Sequence, residues 1–143
     1  MTTTNAKEVL KQYQLKMAKV DEIQEECDKF MTRATKMTAS FNASSVISTT
    51  ISDKVSTNAV KIADLKNEWQ ELLLEAEKEK IKLYRMIMKI DEPYRKILVA
   101  RYIHRKDFEE IAESLNYSYS WIIHKHKIAV EKFDEVLQNY DKE

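Results

Sequence analysis

Over residues 5–37 apolar side chains recur at Val9, Tyr13, Met17, Val20, Cys27, Met31, Ala34 and Met37, with Lys, Glu and Asp filling most of the positions between. Steps of three, four and seven are the period of one helix face. The stripe is narrow and flanked by charge, which suits a coiled-coil seam that needs a partner helix. A second stripe follows from residue 57 to residue 90, through Ile62, Leu65, Trp69, Leu72, Leu73, Ala76, Leu83, Met86, Ile87 and Ile90. Between them, residues 38–57 are rich in Ser and Thr, which compete for backbone hydrogen bonds and weaken helix. Phe41, Val46, Ile47, Ile51 and Val55 within that linker leave two readings open, a packed segment or a loose one. The pattern predicts an antiparallel helical hairpin over residues 1–90 with a linker at 38–57, serving self-association.

The pattern changes after residue 90. Asp91-Glu92-Pro93 predicts a helix start, with Asp91 as cap and Pro93 in the first turn, where a missing N–H is tolerated. A helix through Ile97, Leu98 and Tyr102 leads into the short basic run Ile103-His104-Arg105-Lys106. Asp107 then caps a brief helix with Ile111, Ala112 and Leu115. Asn116-Tyr117 forms a turn, and Ser118 caps a final helix with Ile122, His126, Ala129, Val130, Phe133 and Leu137 down one side. Ala112 suits a close helix crossing, and Asn116 stands where a left-handed backbone residue is needed. Two short packed helices joined in this way form a helix-turn-helix.

Composition narrows the class. With no Gly and one Pro in 143 residues, glycine-dependent sheets and phosphate-cradling loops are disfavoured, and the expected fold class is all-α. Lys+Arg and Asp+Glu are 24 each, so a nucleic-acid partner must be met by a local patch rather than by a global field. The apolar runs fall far below the roughly 20 residues needed to span a bilayer. A single cysteine and the lack of a leader-like start point to the cytoplasm. His124 and His126 diverge on a helix, so no metal is expected. No catalytic constellation or cofactor motif can be placed, and enzyme activity is not expected.

Ile97-Leu98-x-x-Arg101-Tyr102, Phe108-Glu109-Glu110-Ile111-Ala112-x-x-Leu115-Asn116-Tyr117-Ser118 and a distal His126-x-x-Ala129-Val130 resemble region 4 of bacterial sigma factors. More closely, they are similar to the ArpU/RinA-type phage and prophage transcriptional regulators of Gram-positive bacteria. The resemblance covers about residues 91–133. It implies a C-terminal domain, residues 91–143, that binds promoter DNA and activates late phage genes. Lys125 departs from the pattern, standing where the family tends to place an apolar residue.

A recognition helix enters the major groove with its first turns. Tyr119, Ser120 and His124, on the side away from Ile122, His126 and Ala129, are the candidates for base edges. Arg95, Arg105, Lys106, Lys125 and Lys127 are the candidates for phosphates, with Ser118 at the helix entry. Trp121 fits either a core edge or a contact with thymine methyls or a partner protein. Arg101 and Glu110 are expected to pair. The leading expectation is a double-stranded-DNA-binding activator acting as a homodimer. Its rivals are a small terminase-like packaging protein that forms a ring, and an adaptor that binds RNA polymerase through the acidic Glu109, Glu110 and Glu113 and through Trp121.

Overall fold

The computed structural model describes residues 5–43 and 49–141, and every regular element among them is helical. Helix α1 spans Ala6–Ala43 and α2 spans Thr49–Ile87. Both run further into the Ser/Thr-rich segment than its composition predicts. Each Ser or Thr in a helix interior costs only about half a kcal/mol relative to Ala. The hydroxyls can also be satisfied locally, as Thr32 and Thr35 show by donating to the carbonyls of Asp28 and Met31 at 2.9 Å. The packing of Phe41, Val46, Ile47, Ile51 and Val55 lies outside the described residues.

Two compact units divide the chain, Lys16–Glu75 as one and Met1–Leu15 with Ala76–Glu143 as the other. The division thus falls within the two long helices rather than at residue 90. In the first unit α1 and α2 run antiparallel, with Lys16 Nζ 3.9 Å from Glu75 Oε2. Val20 and the free thiol of Cys27 are buried on α1, while Ile62, Leu65, Trp69 and Leu72 are half-buried on α2. Met31, expected on the seam, is exposed, and Ile23, Phe30 and Ala34 are the half-buried residues around it. A seam that advances through Val20, Cys27 and Ala34 by sevens drifts about 20° per heptad around a straight helix, which leaves Met31 at its edge.

The second unit is built around the C-terminal helices. Asn5 caps α1 by accepting the Glu8 N–H at 2.9 Å, and Asp134 accepts the Ala6 N–H at 3.0 Å. A carboxylate there satisfies an otherwise orphaned donor and complements the positive end of the helix dipole. Leu10 and Tyr13 from α1, Leu83, Met86 and Ile87 from α2, and Phe133 and Leu137 are buried in this unit. Helix α3 covers Tyr94–Leu98 and widens into a π-helical turn at Val99–Ile103. Helix α4 covers Phe108–Leu115 and α5 covers Tyr119–Asp141.

Asp91 does not cap α3 with its side chain. The flanking residue is Pro93, without a side-chain cap; the Asp91 carbonyl accepts the Arg95 N–H at 3.1 Å, and its carboxylate lies 3.3 Å from Lys132 Nζ. A cation on α5, distant in sequence, has taken the acid that local capping rules assign to the backbone.

Candidate nucleic-acid interface

Three local devices set the angle between α4 and α5. Asp107, in extended backbone, accepts the Glu110 N–H at 2.8 Å and starts α4. Asn116 ends it in the left-handed region, at φ 62° and ψ 41°, while the Tyr117 N–H returns to the Ala112 carbonyl at 3.0 Å. Ser118 Oγ then accepts the Trp121 N–H at 3.1 Å and starts α5. Asn reaches left-handed backbone more readily than any other residue that carries a Cβ. Asn116→Val should therefore destabilise the domain by about 1–2 kcal/mol while Asn116→Gly stays neutral or gains slightly, read as shifts in the urea midpoint. Equal losses for both would show that the Asn side chain, not its backbone, matters.

Beneath this turn Ile97, Ile111, Ala112 and Ile122 form a buried cluster, with Ala100, Phe108, Leu115 and Trp121 packed against it. Ala112 and Ile122 meet across the helix crossing, which explains the small residue at position 112. Trp121 belongs to the edge of this core. Its outer face is stacked on Tyr117, with ring centroids 3.8 Å apart and planes 17° from parallel. Sequence reasoning passed over Tyr117, because its partnership crosses the turn, where no helical spacing applies.

Of the expected reading residues, Ser120, His124 and Lys127 share one side of α5, whereas Tyr119, seven residues before His126, starts the helix on the His126 side and not away from it. Tyr119 is 51% exposed, and Ser120, His124 and Lys127 are exposed as well, with Glu131 continuing the row at helical spacing. The neighbouring row of Trp121, Lys125, Ile128 and Lys132 is half-buried. Lys125 Nζ lies 5.6 Å from the Trp121 ring and 5.8 Å from the Tyr94 ring, and Lys132 lies 4.9 Å from Tyr94. Lys125 therefore fits this position by setting its ammonium against two aromatic rings.

The candidate phosphate contacts are not equivalent. Arg95 donates to Glu92 at 2.6 Å and Lys96 lies 3.5 Å from the same carboxylate. The hydrogen bond from Arg95, with the positive charge of Lys96, holds Glu92 below its ordinary range. Arg95 is thus turned toward an acid of its own helix start. Arg105 is exposed in left-handed backbone at φ 59°, and Lys106 is half-buried. Lys127 is exposed and carries no hydrogen bond or ion pair among the described residues.

Arg101 does not pair with Glu110. Its guanidinium donates to the Lys106 carbonyl at 3.2 Å and lies 4.4 Å from the Phe108 ring centroid. The basic loop at 103–106 leaves a carbonyl that needs a donor, and Arg101 is within reach of it. Behind Arg101 the half-buried His126 ring accepts or donates a 2.9 Å hydrogen bond with the Tyr102 hydroxyl, and the Phe108 ring meets it edge-on at 4.8 Å. Burial, then the positive charge of Arg101, pushes the His126 imidazolium down to about 4. Burial likewise raises the Tyr102 phenol. With its hydrogen bond to Tyr102 and its contact with Phe108, His126 packs within the domain as a neutral ring.

Among the described residues, no group of His, Cys, Asp and Glu could hold a metal ion, and no helix is long and apolar enough to cross a membrane. No protein-family model, curated protein or solved structure matches the chain.

Proposed function

We propose that the chain is a sequence-specific double-stranded-DNA-binding activator of phage or prophage transcription, with α5 as the recognition helix. The observation that carries this reading is the row Ser120, His124 and Lys127 on the exposed side of the second helix of a helix-turn-helix, with the exposed Tyr119 at its first residue. Hydroxyl, imidazole and ammonium groups are hydrogen-bonding partners for base edges and phosphates, and they occupy the first turns, which penetrate the major groove. The resemblance to sigma region 4 supports promoter DNA as the target. Two copies would present two such helices to paired half-sites. The exposed acids Glu109, Glu110 and Glu113 on α4 support a second contact, with RNA polymerase, at the same promoter.

The test is DNA binding measured across a salt series, with promoter fragments and unrelated duplexes compared. Lys127→Ala should weaken binding to all sequences and reduce the slope of log affinity against log salt by about 1, because a lost phosphate contact releases one counterion fewer. Lys125→Ala should change the slope less, since its ammonium already faces two aromatic rings. Ser120→Ala or His124→Ala should relax preference at one or two base pairs, each by roughly 1–3 kcal/mol. Binding that is equal for all duplexes and insensitive to all four changes would remove the reading.

A further inference from the structure

Helix α2 and Met88, the turn residue that follows it, carry a second apolar row on exposed positions. Within the unit that holds the C-terminal helices, Ile81, Tyr84 and Met88 are 53%, 45% and 39% exposed. Their spacing of three and four is that of a coiled-coil seam. The buried side of the same stretch, Leu83, Met86 and Ile87, points roughly the opposite way around the helix. An isolated exposed Leu or Ile needs no explanation, but a row in heptad register does.

We infer that this row is the face on which a second copy of the chain docks, its α2 antiparallel to the first across a two-fold axis near Ile81. The charges beside the row choose both the occupant and the direction. Glu77 lies four residues before Ile81 and Arg85 four residues after it, and both are exposed. Neither forms a hydrogen bond or an ion pair among the described residues. An antiparallel second copy places its Arg85 against Glu77 and its Glu77 against Arg85, so one patch is complementary to itself, as a two-fold interface requires. It also sets Lys78 opposite the second copy's Tyr84, where an ammonium and a ring face attract. A parallel copy would set Glu77 against Glu77 and Arg85 against Arg85. With so few apolar side chains in the row, the dimer is expected to be a weak one, dissociating in the micromolar range. This inference gives a surface to the paired half-sites proposed above, yet it stands without DNA and is tested without it.

Sedimentation equilibrium of the full chain, without DNA and up to ~100 µM, should show a reversible monomer–dimer equilibrium. Glu77→Arg and Arg85→Glu should each raise the dissociation constant at least about tenfold by setting like charges together. The double variant Glu77→Arg/Arg85→Glu restores opposite charges across the axis and should return it to within about threefold of the parent. Because both side chains are exposed, helicity by circular dichroism should match the parent in all three. A chain that stays monomeric throughout, singles that dimerise as well as the parent, or a double variant no better than the singles would each overturn the assignment. DNA affinity, measured separately, reports on α5 and not on this face.

Discussion

Ile122→Ala should lower the stability of the C-terminal domain by about 2–5 kcal/mol, the range for truncating a fully buried aliphatic side chain, and the DNA binding proposed above should fall with it. Ile122 is fully buried among Ile97, Ile111 and Ala112, so the change opens a cavity where α3, α4 and α5 converge. The loss includes the transfer of the removed methyl and methylene groups and the contacts that their neighbours forfeit. Ser120 and His124 lie two residues to either side on the same helix and are exposed, so Ser120→Ala and His124→Ala should keep the urea midpoint within about half a kcal/mol of the parent. Equilibrium urea unfolding followed by circular dichroism separates the two outcomes. Stability losses at Ser120 or His124 comparable to that at Ile122 would mean that the exposed row is covered by other protein, and base reading would have to move elsewhere.

What the sequence disclosed and what it hid divide along the range of the interactions. Asp107, Asn116 and Ser118 act on backbone groups within a few residues, so capping and turn chemistry identify their roles without a structure. The stripes of α1, α2 and α5 are legible for a related reason, since helical period is a local property. Met31 marks the limit: the pattern included it, but the seam follows a seven-residue advance that turns it outward. The failure at Asp91 is tertiary, and that at Arg101 turns on the geometry of the loop that follows it. Asp91 had a local role to hand, yet Lys132 on α5 offered its carboxylate a charge 3.3 Å away. Arg101 was assigned to a nearby acid, whereas the loop carbonyl of Lys106 and the face of Phe108 hold it instead. The same holds for the candidate site. Helical phase alone finds the row Ser120, His124 and Lys127, and it sets Tyr119 on the His126 side instead. That Arg95 pairs with Glu92 is a local contact three residues apart, whereas the approach of Lys125 to Tyr94 depends on where α3 meets α5.

Acidification should weaken the domain through His126, well before most carboxylates titrate. In the unfolded chain this histidine binds a proton near pH 6.5, while in the fold the imidazolium is pushed down to about 4. Between those values the unfolded state holds more protons than the native one, so stability rises with pH across that window. The contribution is fully present above pH 6.5, is lost progressively as the pH falls toward 4, and changes no further below it. Its size is about 2 kcal/mol, less than full conversion of the shift because the ring is only partly buried. Physically, protonation adds a positive charge that the Arg101 guanidinium repels, and turns both ring nitrogens into donors, so the Tyr102 hydroxyl must accept. His126→Gln keeps a polar group within reach of Tyr102 and removes the titration. Its stability at pH 7 should be lower than the parent's, since the edge-on aromatic contact is lost, but its loss between pH 6.5 and 4 should be smaller by about 2 kcal/mol. Urea midpoints at half-unit steps of pH would show the two curves converging as the pH falls. Parallel curves for the parent and His126→Gln across the window would mean that His126 binds its proton as easily in the fold as out of it, and that the packing of Tyr102, Phe108 and Arg101 around the ring is looser than the distances require.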